Sequence, residues 1–183
     1  MTFAEGTFVG LAGHEIALFQ KLVGGAVGEA VEIGCMDGFS TAHLLECTRY
    51  HLTSIDPFIP DSTATYLRGQ EQRFQQNISP WKERSTLIKD YSWNVVANWT
   101  TPLDFVFIDG DHAYASVLRD YEEWTPLLKI GGVLAMHDSR IGRVDGGGLG
   151  GPTQVAHEHV YNDPKHWAIL GEAGTLTVAR KIS

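Results

Sequence analysis

"LDFVFIDGDHAY", residues 103–114, decides how this chain is read. Its first half is an apolar run interrupted only by Asp104, the pattern of a parallel strand buried on both faces. Its second half sets Asp109, Asp111 and His112 within four positions. In open α/β sheets ligands gather just beyond the carboxyl ends of the strands, so charge concentrated there bears on function as well as on fold.

Working outward, four more segments read as strands that end in polar or glycine signals: "AVEIG" at 30–34, "HLTSID" at 51–56, "STLIKD" at 85–90 and "GGVLAMHD" at 131–138. Helix-length stretches separate them. "YASVLRDYEEWTPLL" repeats Tyr114, Val117, Leu118, Tyr121, Thr125 and Leu128 at helical spacing, with Arg119, Asp120, Glu122 and Glu123 largely off that stripe. "HEIALFQKLV" reads as a short amphipathic helix before the first strand. The alternation predicts an α/β fold, a parallel sheet with crossover helices on both faces. Near the end, "HWAIL" and "TLTVAR" flank "GEAG" and predict an antiparallel hairpin at one sheet edge.

The whole chain is consistent with that frame. Its 183 residues are the size of one domain, expected to span 1–183, and 43% hydrophobic with 20% charged residues is ordinary for a globular protein. The start "MTFAEGTFVG" lacks a signal-peptide pattern and no apolar run approaches membrane-spanning length, so a cytoplasmic protein without a membrane partner is expected. A net charge of -8 with no basic stripe argues against nucleic acid. Cys35 and Cys47 form neither a CxxC pair nor a disulfide framework.

The strand ends hold the chemistry. Gly34 and Gly38 in "VEIGCMDGFST" make a turn that lets backbone approach a ligand, although the spacing matches neither a P-loop nor G-x-G-x-x-G. Glu32 is a carboxylate inside a strand and needs a partner there. Asp56 follows Gly34 at the separation from which a strand-end acid reaches ribose hydroxyls. Asp90 reads equally as an acceptor for an adenine amino group or, like Ser92, as a cap for the helix beginning near Trp93. Asp111 reads as a cap for the helix starting at Ala113, while His157 and His159, at i, i+2 spacing, face different ways and make a poor shared metal site. The glycine-rich stretch 139–152 lies at the same end of the sheet and is a candidate flap.

The ordered set E-x-G-x-x-x-G, "SIDPF", "LDFVFIDGDHAY" and "LLKIGGVLAMHD" resembles the class I S-adenosylmethionine-dependent methyltransferases, and within them the small-molecule O-methyltransferases of macrocin-like and catechol-like type. The resemblance runs from about residue 28 to the C-terminus. It implies a Rossmann-like doubly wound sheet of seven strands in the order 3-2-1-4-5-7-6, mostly parallel, with the final hairpin inserted antiparallel. It also implies that Gly34 and Gly38, with Ser40 and supported by Glu32, hold the methionine part of S-adenosylmethionine. Asp56 would take the ribose, and Asp90 and Tyr91 would fall near the adenine. Asp109, adjoining the cofactor, would join His137 and Asp138 in holding magnesium or another divalent metal, with His112 as catalytic base beside Asp109. Met36 stands where the commoner G-x-G pattern has its central glycine, and His137 stands where a second acid would be the clearer magnesium signal. Imidazole suits zinc, manganese or iron, whereas magnesium prefers oxygen.

The implied partner is a small-molecule hydroxyl acceptor, with loops 57–80 and 139–152 shaping its pocket and a homodimer compatible with so small a catalytic domain. Two other classes are weighed against this. A nicotinamide-dependent oxidoreductase would share Asp56 but should carry G-x-G-x-x-G and a hydride-transfer partner, which the sequence lacks. A noncatalytic nucleotide-binding module would have no need of Asp109, His112 and Asp138 together.

Overall fold

The computed structural model describes residues 1–60, 68–140 and 150–183. Among these residues, β1 (Val27–Ile33), β2 (Arg49–Ile55), β3 (Ser85–Ile88), β4 (Leu103–Ile108), β5 (Leu128–Met136), β6 (Trp167–Ala173) and β7 (Leu176–Lys181) form one sheet in the order β3-β2-β1-β4-β5-β7-β6. The first five strands pair in parallel, while β7 runs antiparallel to both β5 and β6. This is the parallel sheet with an antiparallel edge hairpin that the pattern predicts, in the strand order that the resemblance implies. The hairpin differs in one detail: Gly171 to Ala173 continue β6, and the chain reverses at Gly174, which has φ +53°.

Strand alternation builds the two cores. Phe105 and Phe107 of β4 enter one cluster with Phe19 and Val23 of α1 (Gly13–Val23), Leu44 and Leu45 of α2 (Phe39–Cys47), and Phe74 and Ile78 of α3 (Gln70–Ile78). Val106 and Ile108 point the other way. They meet Val117 and Trp124 of α5 (Tyr114–Trp124) and Val155 of α6 (Gly150–Val155), with α4 (Ser92–Val96) adding Val95 and Val96 at the margin. Helices therefore cover both faces, and a central parallel strand such as β4 reaches the surface chiefly at its end. A side chain such as Phe107, fully buried between layers, is worth about 3–5 kcal/mol against alanine.

One expectation about α5 is corrected. Asp120 does not lie off the buried stripe: Val117, Asp120 and Trp124 are the buried residues of the helix, at i, i+3 and i+7. The stripe is rotated because α5 packs against both the sheet and α4, and Asp120 accepts a hydrogen bond from Ser92 Oγ of α4. Burial pushes its carboxyl up to about 7, against the opposing effect of Ser92. Among the described residues no helix is long and apolar enough to cross a membrane.

Candidate active site

The carboxyl ends of the parallel strands open into a cavity of about 820 Å³. Gly34, Asp56, Tyr91, Asp109, His112, His137 and Asp138 all line it, so most of the residues expected at the site are brought together. Glu32, Gly38, Ser40 and Asp90 are not in its wall among the described residues. Much of the expected flap, 141–149, and residues 61–67 of the expected acceptor loop lie outside the described residues.

The glycine turn is fastened by acids. Gly34 has φ +81°, and a Cβ there would overlap the Asp109 carbonyl and the Gly110 backbone, so glycine is what lets the ends of β1 and β4 close together. Asp56 Oδ2 accepts from the backbone N–H groups of Cys35 at 3.0 Å and Met36 at 2.9 Å, while Oδ1 accepts from Phe58 N–H at 2.7 Å. The expected ribose acid thus first holds the turn, and it lines the cavity with lone-pair capacity beyond those three bonds. Met36, at φ 42°, and Phe58, at φ 53°, are held in left-handed conformations beside it.

Glu32 is fully buried and touches no cavity surface. Its carboxylate accepts from Ser40 Oγ at 2.5 Å, Thr41 Oγ1 at 2.5 Å and Ser54 Oγ at 2.8 Å, which ties α2 and β2 to β1. Burial outweighs these three donors and raises its carboxyl to about 7. Glu32 and Ser40 therefore support the turn from beneath. Gly38 begins α2 in a left-handed conformation, and Phe74 of α3 packs where its Cβ would be. Asp37, which the sequence reading passed over, accepts from Phe8 N–H at 2.7 Å and Arg73 Nε at 3.0 Å and so anchors the N-terminal segment across the turn. Phe8 and Gly10 of that segment form part of the cavity wall.

At the β3 end, Asp90 has local partners. Its Oδ1 accepts from Tyr91 N–H at 2.7 Å and Asn94 Nδ2 at 2.8 Å, as a residue organising the start of α4 would. The cavity wall here is aromatic: Tyr91 and Trp93 stack at 4.4 Å and 14°, with the Arg119 guanidinium 4.9 Å from the Trp93 ring.

The β4 and β5 ends hold the most concentrated chemistry. Asp109 Oδ1 lies 3.1 Å from His137 Nδ1, and Asp138 Oδ2 lies 3.4 Å from the same nitrogen and 3.2 Å from His112 Nε2. Asp138 adopts φ 49°, an uncommon conformation for a residue with a side chain, and it turns the carboxylate back between the two histidines. Ligating atoms of Asp109, His137 and Asp138 lie within 4.8 Å of one another, the one such cluster among the described residues. Burial disfavours a charged His137, but Asp109, Asp138 and Glu15 outweigh it and push the imidazole up to about 12. Asp138 is held well below the ordinary carboxylate range, burial being overcome by hydrogen bonds from both histidines. Asp111, beside them, accepts from His112 N–H at 2.9 Å and Ser116 Oγ at 2.7 Å.

Glu15 also escaped the sequence reading. It lies in the first turn of α1, 3% exposed, with Oε2 3.4 Å from His137 Nε2. Only its place three residues after Ala12, in a helix-start pattern, was visible beforehand, and that explains one of its contacts, the 2.7 Å bond from Ala12 N–H.

Comparison with known proteins bears on the fold and the family. A curated relative, the uncharacterized protein R132 of Acanthamoeba polyphaga mimivirus, is 26% identical over 117 residues, which is 59% of this chain and 50% of the relative, so the chain spans half of that protein's length. Among solved structures, a provisionally assigned caffeoyl-CoA O-methyltransferase from Staphylococcus aureus superposes with a TM-score of 0.67 at 16% identity, covering 93% of this chain and 84% of that one. The O-methyltransferase TomG of Streptomyces achromogenes, involved in tomaymycin synthesis and solved with S-adenosylmethionine, gives 0.62 at 15% identity, covering 92% and 78%. At these identities the structural likeness speaks for the fold. The family profile described as a methyltransferase domain matches residues 31–139, from β1 through the end of β5, and by that match over more than half its length the chain belongs to the methyltransferase-domain family.

Proposed function

We propose that this protein is an S-adenosylmethionine-dependent O-methyltransferase acting on a hydroxylated small molecule, with a divalent cation held by Asp109, His137 and Asp138 and with His112 as the general base. The observation that carries the reading is the convergence of those four side chains on one cavity, next to the glycine turn at Gly34. A noncatalytic module needs the turn but gives no reason for that convergence.

The donor set fits a cation. Two carboxylates converge on a single imidazole nitrogen at 3.1 and 3.4 Å, whereas one N–H is fully satisfied by one acceptor. One ligating atom from each of Asp109, His137 and Asp138 lies within 4.8 Å of the others, so the three would hold a shared cation. Such an ion, magnesium or another, would supply Lewis acidity that lowers the pKa of the acceptor hydroxyl. Asp138 serves twice in this arrangement, as ligand and as the carboxylate that orients His112. With Nε2–H donating to Asp138 at 3.2 Å, His112 takes the hydroxyl proton at its other ring nitrogen, Nδ1, and the Asp138 carboxylate stabilises the imidazolium that results. Tyr91 and Trp93 offer the adenine an aromatic wall, and Gly34 with the Asp56-fastened turn brings backbone to the amino-acid end. Bringing sulfonium and alkoxide into line by these contacts accounts for much of the acceleration.

Isothermal titration with S-adenosylmethionine, S-adenosylhomocysteine and NAD, each with and without a divalent salt, tests the reading. Saturable binding of the first two is the expected result, followed by metal-dependent methylation in a screen of vicinal diols, catechols and sugars. Binding of NAD alone would overturn it.

A further inference from the structure

Glu15 and Thr175 fix one proton on His137. Thr175 N–H donates to Glu15 Oε1 at 2.8 Å, and the Thr175 hydroxyl, 3.1 Å from the same oxygen, donates to it as well. With its hydrogen committed, that hydroxyl presents lone pairs to His137 Nε2, which lies 3.1 Å away. The second neighbour of Nε2 is Glu15 Oε2 at 3.4 Å, itself an acceptor. Both groups facing Nε2 are acceptors, so Nε2 carries hydrogen. When the ring acts as a ligand its lone pair is then on Nδ1, the nitrogen that points between Asp109 and Asp138.

We infer that Glu15, on α1 and outside the matched domain, is the positioning residue that makes His137 a metal ligand through Nδ1, and that the site therefore prefers a divalent cation tolerant of imidazole, such as manganese or zinc, over magnesium. The inference rests on the metal-dependent reading of the same site. It adds a second shell to it: a ligating histidine backed by a carboxylate is fixed in tautomer and ring orientation, and loss of the backing group typically costs 10–100-fold in metal affinity. Nitrogen in the donor set disfavours magnesium, which takes oxygen ligands.

The test is Mn²⁺ binding to the full chain, followed through the electron paramagnetic resonance of free Mn²⁺, with Mg²⁺ as competitor. Wild type is expected to bind one Mn²⁺ at least tenfold more tightly than Mg²⁺. Glu15→Gln, equal in size, must turn its amide nitrogen toward either Thr175 N–H or His137 Nε2, and Mn²⁺ affinity is expected to fall about 10–100-fold. Failure of the wild type to bind any divalent ion would overturn the metal reading itself. Tight Mn²⁺ binding left unchanged by Glu15→Gln, or Mg²⁺ bound as tightly as Mn²⁺, would overturn the inference while leaving that reading in place. Should Glu15→Gln not fold, the long-range ¹H–¹⁵N spectrum of the Zn²⁺-loaded wild type decides: His137 protonated at Nε2 supports the inference, and protonated at Nδ1 overturns it.

Discussion

The acids of the first two strands and those of the fourth and fifth look alike in the sequence and are used in opposite ways. Around β1 and β2, Glu32 takes three hydroxyl donors, and Asp37 and Asp56 take backbone N–H groups, so their oxygens hold protein to protein. Around β4 and β5, Asp109 and Asp138 face histidines and the cavity. The first region spends most of its acceptor capacity on holding backbone and hydroxyl groups, and the second sets its acids against histidine nitrogens at the cavity. How much of a strand-end acid is left for a ligand therefore depends on how much of it local backbone claims.

The sharpest way to break this division is to disable the second region and ask whether the first notices. His112→Gln should lower methyl transfer to an identified acceptor by about 10²–10⁴-fold, the range of a lost general base, while the S-adenosylhomocysteine dissociation constant moves less than about threefold. A parallel loss of binding in titration calorimetry would mean that the two regions are not separable. The converse substitution comes next. Asp56→Ala strips three backbone N–H groups of their shared carboxylate and is expected to cost about 3–5 kcal/mol in urea unfolding, together with nearly all cofactor binding. A variant that binds normally and unfolds like wild type would make Asp56 a bystander.

The smallest effect is a matter of pH. Glu32, at about 7 in the folded protein against 4.5 unfolded, binds its proton more tightly when folded. Stability is therefore greatest below 4.5 as far as this group is concerned and falls as pH rises toward 7, by up to about 3 kcal/mol. Asp120, also raised to about 7, adds a loss of the same sign. In Glu32→Gln the decline of the melting temperature between pH 5 and 7 should become shallower, with the part due to Asp120 remaining. An unchanged slope would show that the three hydroxyls keep Glu32 ionised.

How far the sequence carried depended on periodicity. The strand "LDFVFI" and its neighbours announced a parallel sheet because burial on both faces leaves few polar positions, and the acids ending those strands stood out against that background. Asp109, His112, His137 and Asp138 were legible for this reason, as was Gly34. Asp120 was misplaced, since a helix's buried stripe turns with whatever packs against it, and Ser92 on α4 was needed to make a carboxyl acceptable there. Glu15 stood out least, 122 positions before the histidine it supports.

The sequence by itself determined the alternation of strands and helices, the chemistry gathered at the carboxyl ends, and the family those features resemble, because hydrophobic period and residue type are local properties. Only the tertiary structure decided which acids are occupied. Whether an oxygen is free for a ligand depends on the donors within about 3 Å of it. For Asp56 those donors come from turns 20 and 21 positions earlier, and for Glu15 from Thr175, 160 positions later, partners that chain folding alone brings into contact.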